Sequence, residues 1–247
     1  MKFGLAGLGE ETLNRIAELA IASQLDEVDQ LKVWVKTDLE LLSQGRLASL
    51  HIDGHGLVMR RDLRLQRMRI KINDIVVSPW KALRGNIQLL EPTTGEAQIV
   101  LTEADINRAF NSSLLQPQMQ NLLLPVEGKT VHLTVQQVAC RFQSAGAIAI
   151  AAKVGLPGHH QWFPVAFTTT PRIINNGKAI ALTDITYHDG KELSPTLTAA
   201  LVEQASNILD LRNFEVEGIA LQLQHLHIEH QALRLNAIAH VTHFPQA

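Results

Sequence analysis

The sequence predicts an α+β fold, built as a large antiparallel β-sheet with two long helices laid against it. Three observations point there. Apolar residues alternate with a period of two through most of the chain, the signature of half-buried strands. The connections between these runs are short, and a parallel crossover would need a dozen or more residues. Substantial helical periodicity is confined to one segment near each end.

From Glu11 to Leu25, the residues Leu13, Ile16, Ala17, Ala20 and Ile21 fall at helical spacing and predict an amphipathic helix. Leu31, Val33 and Val35 alternate with polar neighbours in a short strand. Thr37 and Glu40 have capping-box spacing, and Gly45 sits where a helix ends, so 38–44 reads as a short helix. Strands follow at Ala48–Ile52, Leu57–Leu65, Met68–Val77, Gly85–Leu90 and Gln98–Leu101, with turns at Asp53-Gly54-His55-Gly56 and Pro92-Thr93-Thr94-Gly95. Thr102 reads as an N-cap, with Glu103 and Asp105 in the first turn and Ile106, Ala109 and Phe110 on the buried face.

In the second half, Val131, Leu133 and Val135, then Ala147–Ala152 and Trp162–Thr169, read as strands. Asn176-Gly177 is a two-residue hairpin signal. Ser194-Pro195 opens a helix with Leu197, Leu201, Ile208 and Leu209 on its apolar side, and strands near Val216–Ile228 and Ala232–Thr242 close the chain. Residues 1–30 read as a leader and amphipathic helix, and 31–247 as a single α+β domain.

With 247 residues, the chain is long enough to bury on the order of 70% of its surface without a covalent staple. Lys plus Arg total 22 against 24 Asp plus Glu, so no globally basic nucleic-acid binder is indicated. Three Trp, one Tyr and seven Phe are few for stacking bases, and no nucleic-acid partner is expected. Cys140 is the sole cysteine, which excludes an intramolecular disulfide and a cysteine-based zinc site. No apolar run approaches about 18 residues, and the stretch after Lys2 is too brief for a secretory signal. The expectation is a cytoplasmic protein able to associate with a membrane.

Familiar catalytic patterns are incomplete. Gly7-Leu8-Gly9 before a helix imitates a dinucleotide fingerprint, but Thr12 takes the third glycine position, and Glu10 and Glu11 would oppose a pyrophosphate. His225 and His227 on one strand face supply two zinc ligands, with His230 reachable only after a bend. Asp184, His188 and Asp189 read more simply around an Asp189-Gly190 turn. The expectation is a protein without catalytic residues, metal or cofactor.

Arg60, Arg61, Arg64, Arg67, Arg69 and Lys71 crowd one stretch, opposed locally only by Asp62. From Arg67 onward they alternate with Met68, Ile70 and Ile72, giving one cationic and one apolar strand face. One reading is the ordinary solvated face of an antiparallel sheet, and the functional reading is an anionic head group or membrane surface beside an apolar groove. Leu63, Leu65, Met68, Ile70 and Ile72 are the candidates to line that groove.

Several segments resemble the LmeA-like phospholipid-binding proteins: Val35-Lys36-Thr37 with Leu41-Leu42-Ser43-Gln44-Gly45, Leu50 to Leu57, Asp62-Leu63-Arg64, Ala82 to Ile87, and Leu101 to Ala109. The resemblance implies that the sheet is strongly curved and wrapped on the two long helices in an elongated tubular lipid-binding-like structure with a hydrophobic cavity, and that it binds a phospholipid or other acyl-chain lipid without chemistry. The expected function is therefore non-enzymatic lipid binding or transfer at the periphery of a membrane. The alternative is a protein-interaction or assembly factor without a lipid ligand.

Overall fold

The computed structural model describes residues 10–59, 62–78, 81, 88–126, 128–155, 162–188, 193–213, 218–229 and 231–243. Their strands form two antiparallel sheets, where one large sheet was expected. The first contains β1 (Gln30–Lys36), β2 (Arg46–Met59), β3 (Leu63–Val76), β4 (Thr93–Thr102), β10 (Ile219–Glu229) and β11 (Ala232–Val241), in the order β1-β2-β3-β4-β11-β10. The second is a sequential meander of β5 (Leu122–Val126), β6 (Lys129–Phe142), β7 (Ile148–Gly155), β8 (Trp162–Ile174) and β9 (Ala179–Tyr187).

The expected pair of long helices is also corrected. The described helices are α1 (Glu10–Ala22), α2 (Leu39–Ser43), α3 (Glu103–Phe110), α4 (Gln116–Met119) and α5 (Pro195–Ile208), and the longest has 14 residues. Such a helix is about 21 Å long, whereas a 14-residue strand spans about 46 Å. Helices of this size cannot cover the first sheet, and the second sheet shares that work. Ile173 and Ile180 of the second sheet pack on the core cluster that contains Ile70, Ile72, Ala97 and Leu235 of the first. The helix α5 instead covers the far end of the second sheet, where Leu197, Ala200 and Leu201 meet Leu122, Leu133, Val154 and Val165.

Two helices close open strand edges with side chains at helical i, i+4 spacing. On α1, Asn14 Oδ1 accepts from the Val35 amide at 2.6 Å, and a Glu18 carboxylate oxygen accepts from the Val33 amide at 3.0 Å. On α3, Glu103 accepts from the Phe142 amide, Asn107 exchanges two hydrogen bonds with Cys140, and Asn111 donates to the Val138 carbonyl. Unpaired edge groups of β1 and β6 thus find partners in place of a further strand. Because α3 follows β4 directly and docks on β6, it also joins the two sheets.

Local signals succeed in some places and mislead in others. Thr102 caps α3 in a full capping box with Asp105. At α2 the cap is Asp38, one residue beyond Thr37, and its side chain accepts from Leu41. The expected turn at Asp53–Gly56 lies inside β2, where Asp53 opposes Arg69 and Gly54 opposes Met68. The reversal falls instead between Met59 and Leu63, which pair, so Leu57–Leu65 is not one strand. Gly95 belongs to β4, where it opposes Ile72, and the absence of a side chain suits the close approach there, since a Cβ would lie 2.6 Å from the Lys71 carbonyl oxygen. The β8–β9 connection runs through Asn175, Asn176, Gly177 and Lys178, longer than the two-residue loop expected from Asn176-Gly177. The Gly7-Leu8-Gly9 segment, residues 85–87 of the expected strand, Asp189-Gly190 and His230 lie outside the described residues.

Candidate functional site

Between the two sheets lies a cavity of about 880 Å³, near the upper end of ligand-pocket sizes. Its walls are overwhelmingly aliphatic. The first sheet contributes Leu50 and Ile52 from β2, Ile99 and Leu101 from β4, and Leu233 and Leu235 from β11. The second contributes Cys140, Ile148, Ile150 and Leu182, while Ala17, Ala20 and Ile21 of α1 and Ile106 and Phe110 of α3 complete the walls.

All five candidate groove residues, Leu63, Leu65, Met68, Ile70 and Ile72, lie on this lining. Strict alternation would place Leu65 and Met68 on opposite faces. The inward face therefore changes parity between them, across from Gly56, whose φ of 58° breaks the regular pleat of β2. From Leu63 to Ile72 the lined length of β3 is about 30 Å, roughly twice the depth of one bilayer leaflet's hydrocarbon.

The basic candidates are divided among different surroundings. Arg64 lines the cavity, and its guanidinium meets Asp105 at 2.7 Å and Asp29 at 3.6 Å. Asp105 is 1% exposed, and its second carboxylate oxygen accepts from the Thr102 amide and hydroxyl. The Asp105 hydrogen bond raises the Arg64 pKa above its ordinary value, so this guanidinium stays charged. Arg67 grips Asp53 with two bonds of 2.9 and 2.6 Å, and Arg69 adds a third at 3.3 Å. Arg67, followed by burial working the other way and then Arg69, sets the Asp53 carboxyl below its usual value of 3.8. Lys71 is exposed opposite Glu96, and Arg60 and Arg61 lie outside the described residues.

Sequence proximity thus overstated the free positive charge of β3. Its neutralising carboxylates come from β2, α3 and Asp29 just before β1, invisible to a count along the strand. Polar groups remain at both ends of the cavity: Gln24, Arg64 and Asp105 at one, Gln88, Thr242 and His243 at the other. In the wall between them, burial first and Glu103 second push the Cys140 thiol up to about 12, so it stays protonated and is no ready nucleophile. His225 and His227 lie on the outside of β10 with parallel rings 6.1 Å apart. Among the described residues no group of three His, Cys, Asp or Glu could hold a metal ion.

A model of the LmeA-like phospholipid-binding family matches residues 4–238. The chain belongs to that family. The match extends well beyond the segments from Val35 to Ala109 that carry the resemblance in sequence, and it includes the second sheet and all of the first except the last three residues of β11. No curated protein and no solved structure matches the chain. None of the described helices is long and apolar enough to cross a membrane.

Proposed function

We propose that this protein binds phospholipid without chemical conversion, with the acyl chains enclosed between the two sheets and the head group at a polar end of the cavity. The observation that carries this reading is the continuous aliphatic lining of a space of about 880 Å³ in a member of a phospholipid-binding family. Each methylene moved from water into such a lining contributes about 0.8 kcal/mol, so even part of one acyl chain gives a large driving force. The glycerol and phosphate groups cannot follow without partners, because burying unpaired polar groups is costly. The Arg64–Asp105 end and the Gln88–Thr242–His243 end are the places where a head group can remain hydrated or hydrogen-bonded.

Leu63, Leu65, Met68, Ile70 and Ile72 are assigned to the acyl-chain wall, and Arg64 to the polar boundary. Transfer between membranes follows as a further part of the proposal, because enclosed chains can leave one bilayer without exposure to water. Uptake of a fluorescent phospholipid from donor vesicles tests the reading. The wild-type protein is expected to take up the probe, and Met68→Trp combined with Leu101→Trp is expected to reduce uptake at least tenfold while preserving circular dichroism and cooperative unfolding. Undiminished uptake by that folded variant would place the lipid elsewhere.

A further inference from the structure

Outside the cavity, the second sheet carries charge almost entirely of one sign, with Asp184 of β9 as the one carboxylate in its strands. From Gly128 to Thr183 the sequence has no aspartate or glutamate, although the whole chain has 24 such residues. Lys129, Arg141, Lys153, Arg172 and Lys178 fall within that stretch, which forms β6, β7, β8 and the start of β9.

The strand register sorts these cations by face. Directly opposed residues of an antiparallel pair project to the same side. Arg141 opposes Ala149, Ala139 opposes Ala151, and Gln136 opposes Lys153. Thr168, Ala166 and Pro164 continue the same three rows onto β8. Since Cys140, Ile148 and Ile150 line the cavity, these alternating neighbours face away from it. Arg141 and Lys153 are exposed there. Among the described residues neither makes an ion pair, in contrast to Arg64, Arg67 and Arg69 of β3 and to Arg172, which meets Asp184 at 3.4 Å.

The same face carries a hollow and an apolar margin. Ala151, Pro164 and Ala166 floor a depression of about 250 Å³ bordered by Gln137, Lys153 and His188. A bulge in β6, with Gln137 at φ 55°, shifts the register beside it. Leu123, 60% exposed, opposes His132 at one margin, and the Trp162 ring lies over Gly155. Cations interspersed with an exposed aliphatic side chain and an indole fit the polar-to-apolar boundary of a bilayer.

We propose that the outer face of the second sheet docks on an anionic phospholipid bilayer, with Arg141 and Lys153 supplying the attraction and the hollow beside Lys153 and His188 receiving a lipid head group. The choice of occupant rests on the phospholipid-binding reading of the cavity, whereas the location rests on charge and register. Each basic residue close to such a surface changes partitioning about fivefold, so neutralising two costs about 25-fold.

Co-sedimentation with phosphatidylcholine vesicles, with and without phosphatidylglycerol, tests the assignment, with light scattering recorded at the same protein concentration. The wild-type protein is expected to bind vesicles containing phosphatidylglycerol and to release as salt rises. Arg141→Gln with Lys153→Gln is expected to weaken that binding about 25-fold, while Arg67→Gln with Arg69→Gln changes it less than twofold. Absence of wild-type binding, an equal loss in both double variants, or a dimer that disappears in the Arg141→Gln, Lys153→Gln variant would overturn the proposal. The last result would assign the face to a second copy. Phospholipid retained in the cavity is measured on the same preparations. Its presence without vesicle binding rejects only the docking face, and its absence with intact vesicle binding rejects only the cavity reading.

Discussion

Asp105 is buried beside a single guanidinium, and removing that partner would leave its charge stranded. Arg64→Leu is therefore expected to cost about 3–5 kcal/mol of stability, whereas Arg69→Gln, at an exposed and shared pair, costs less than about 1 kcal/mol. Urea unfolding of both variants at neutral pH checks the contrast. Asp53 gives a prediction in pH. Its folded-state pKa lies below 3.8, so the carboxylate contributes stability above that value and loses it as pH falls through 3.8 and then through the lower folded value. Asp53→Asn is expected to cost about 1 kcal/mol near neutrality and to flatten the acid limb of the stability curve. An unchanged acid limb in that variant would remove Asp53 from the account. At this scale the sequence showed which side chains carry charge but not their partners, because Asp105 lies 41 residues from Arg64 and Asp53 lies 14 from Arg67.

The edge-closing helices set the predictions for elements. Asn107→Leu deletes both side-chain bonds to Cys140 and leaves that part of the β6 edge open, an expected loss of about 2–3 kcal/mol. Asn14→Ala removes one bond to β1 and is expected to cost about 1 kcal/mol, with thermal melting as the measurement for both. The helix around Asn107 was legible from Thr102 and the following acids because capping is local. Its use of Glu103, Asn107 and Asn111 to close a strand was not legible, because β6 begins some 20 residues later. Asp53-Gly54 misled for the converse reason: pairing with Arg69 and Met68 overrides its local preference for a turn.

For the whole molecule, a period of two identified most of the strands, though not β5, but not the sheet each would join, since both sheets have the same alternation. The cavity depends on that division. Its lining combines β2, β3, β4 and β11 with residues of β6, β7 and β9, which no segment displays alone. The apolar face of β3 could be read from Met68, Ile70 and Ile72, whereas the parity change that also turns Leu65 inward depends on the irregularity opposite Gly56. The most direct measurement of the central claim is native mass spectrometry of gently purified protein, followed by lipid extraction. The account predicts a bound phospholipid that survives Arg67→Gln with Arg69→Gln but is lost from the folded Met68→Trp, Leu101→Trp variant. Lipid-free wild-type protein that also stays empty after incubation with phospholipid vesicles would contradict it.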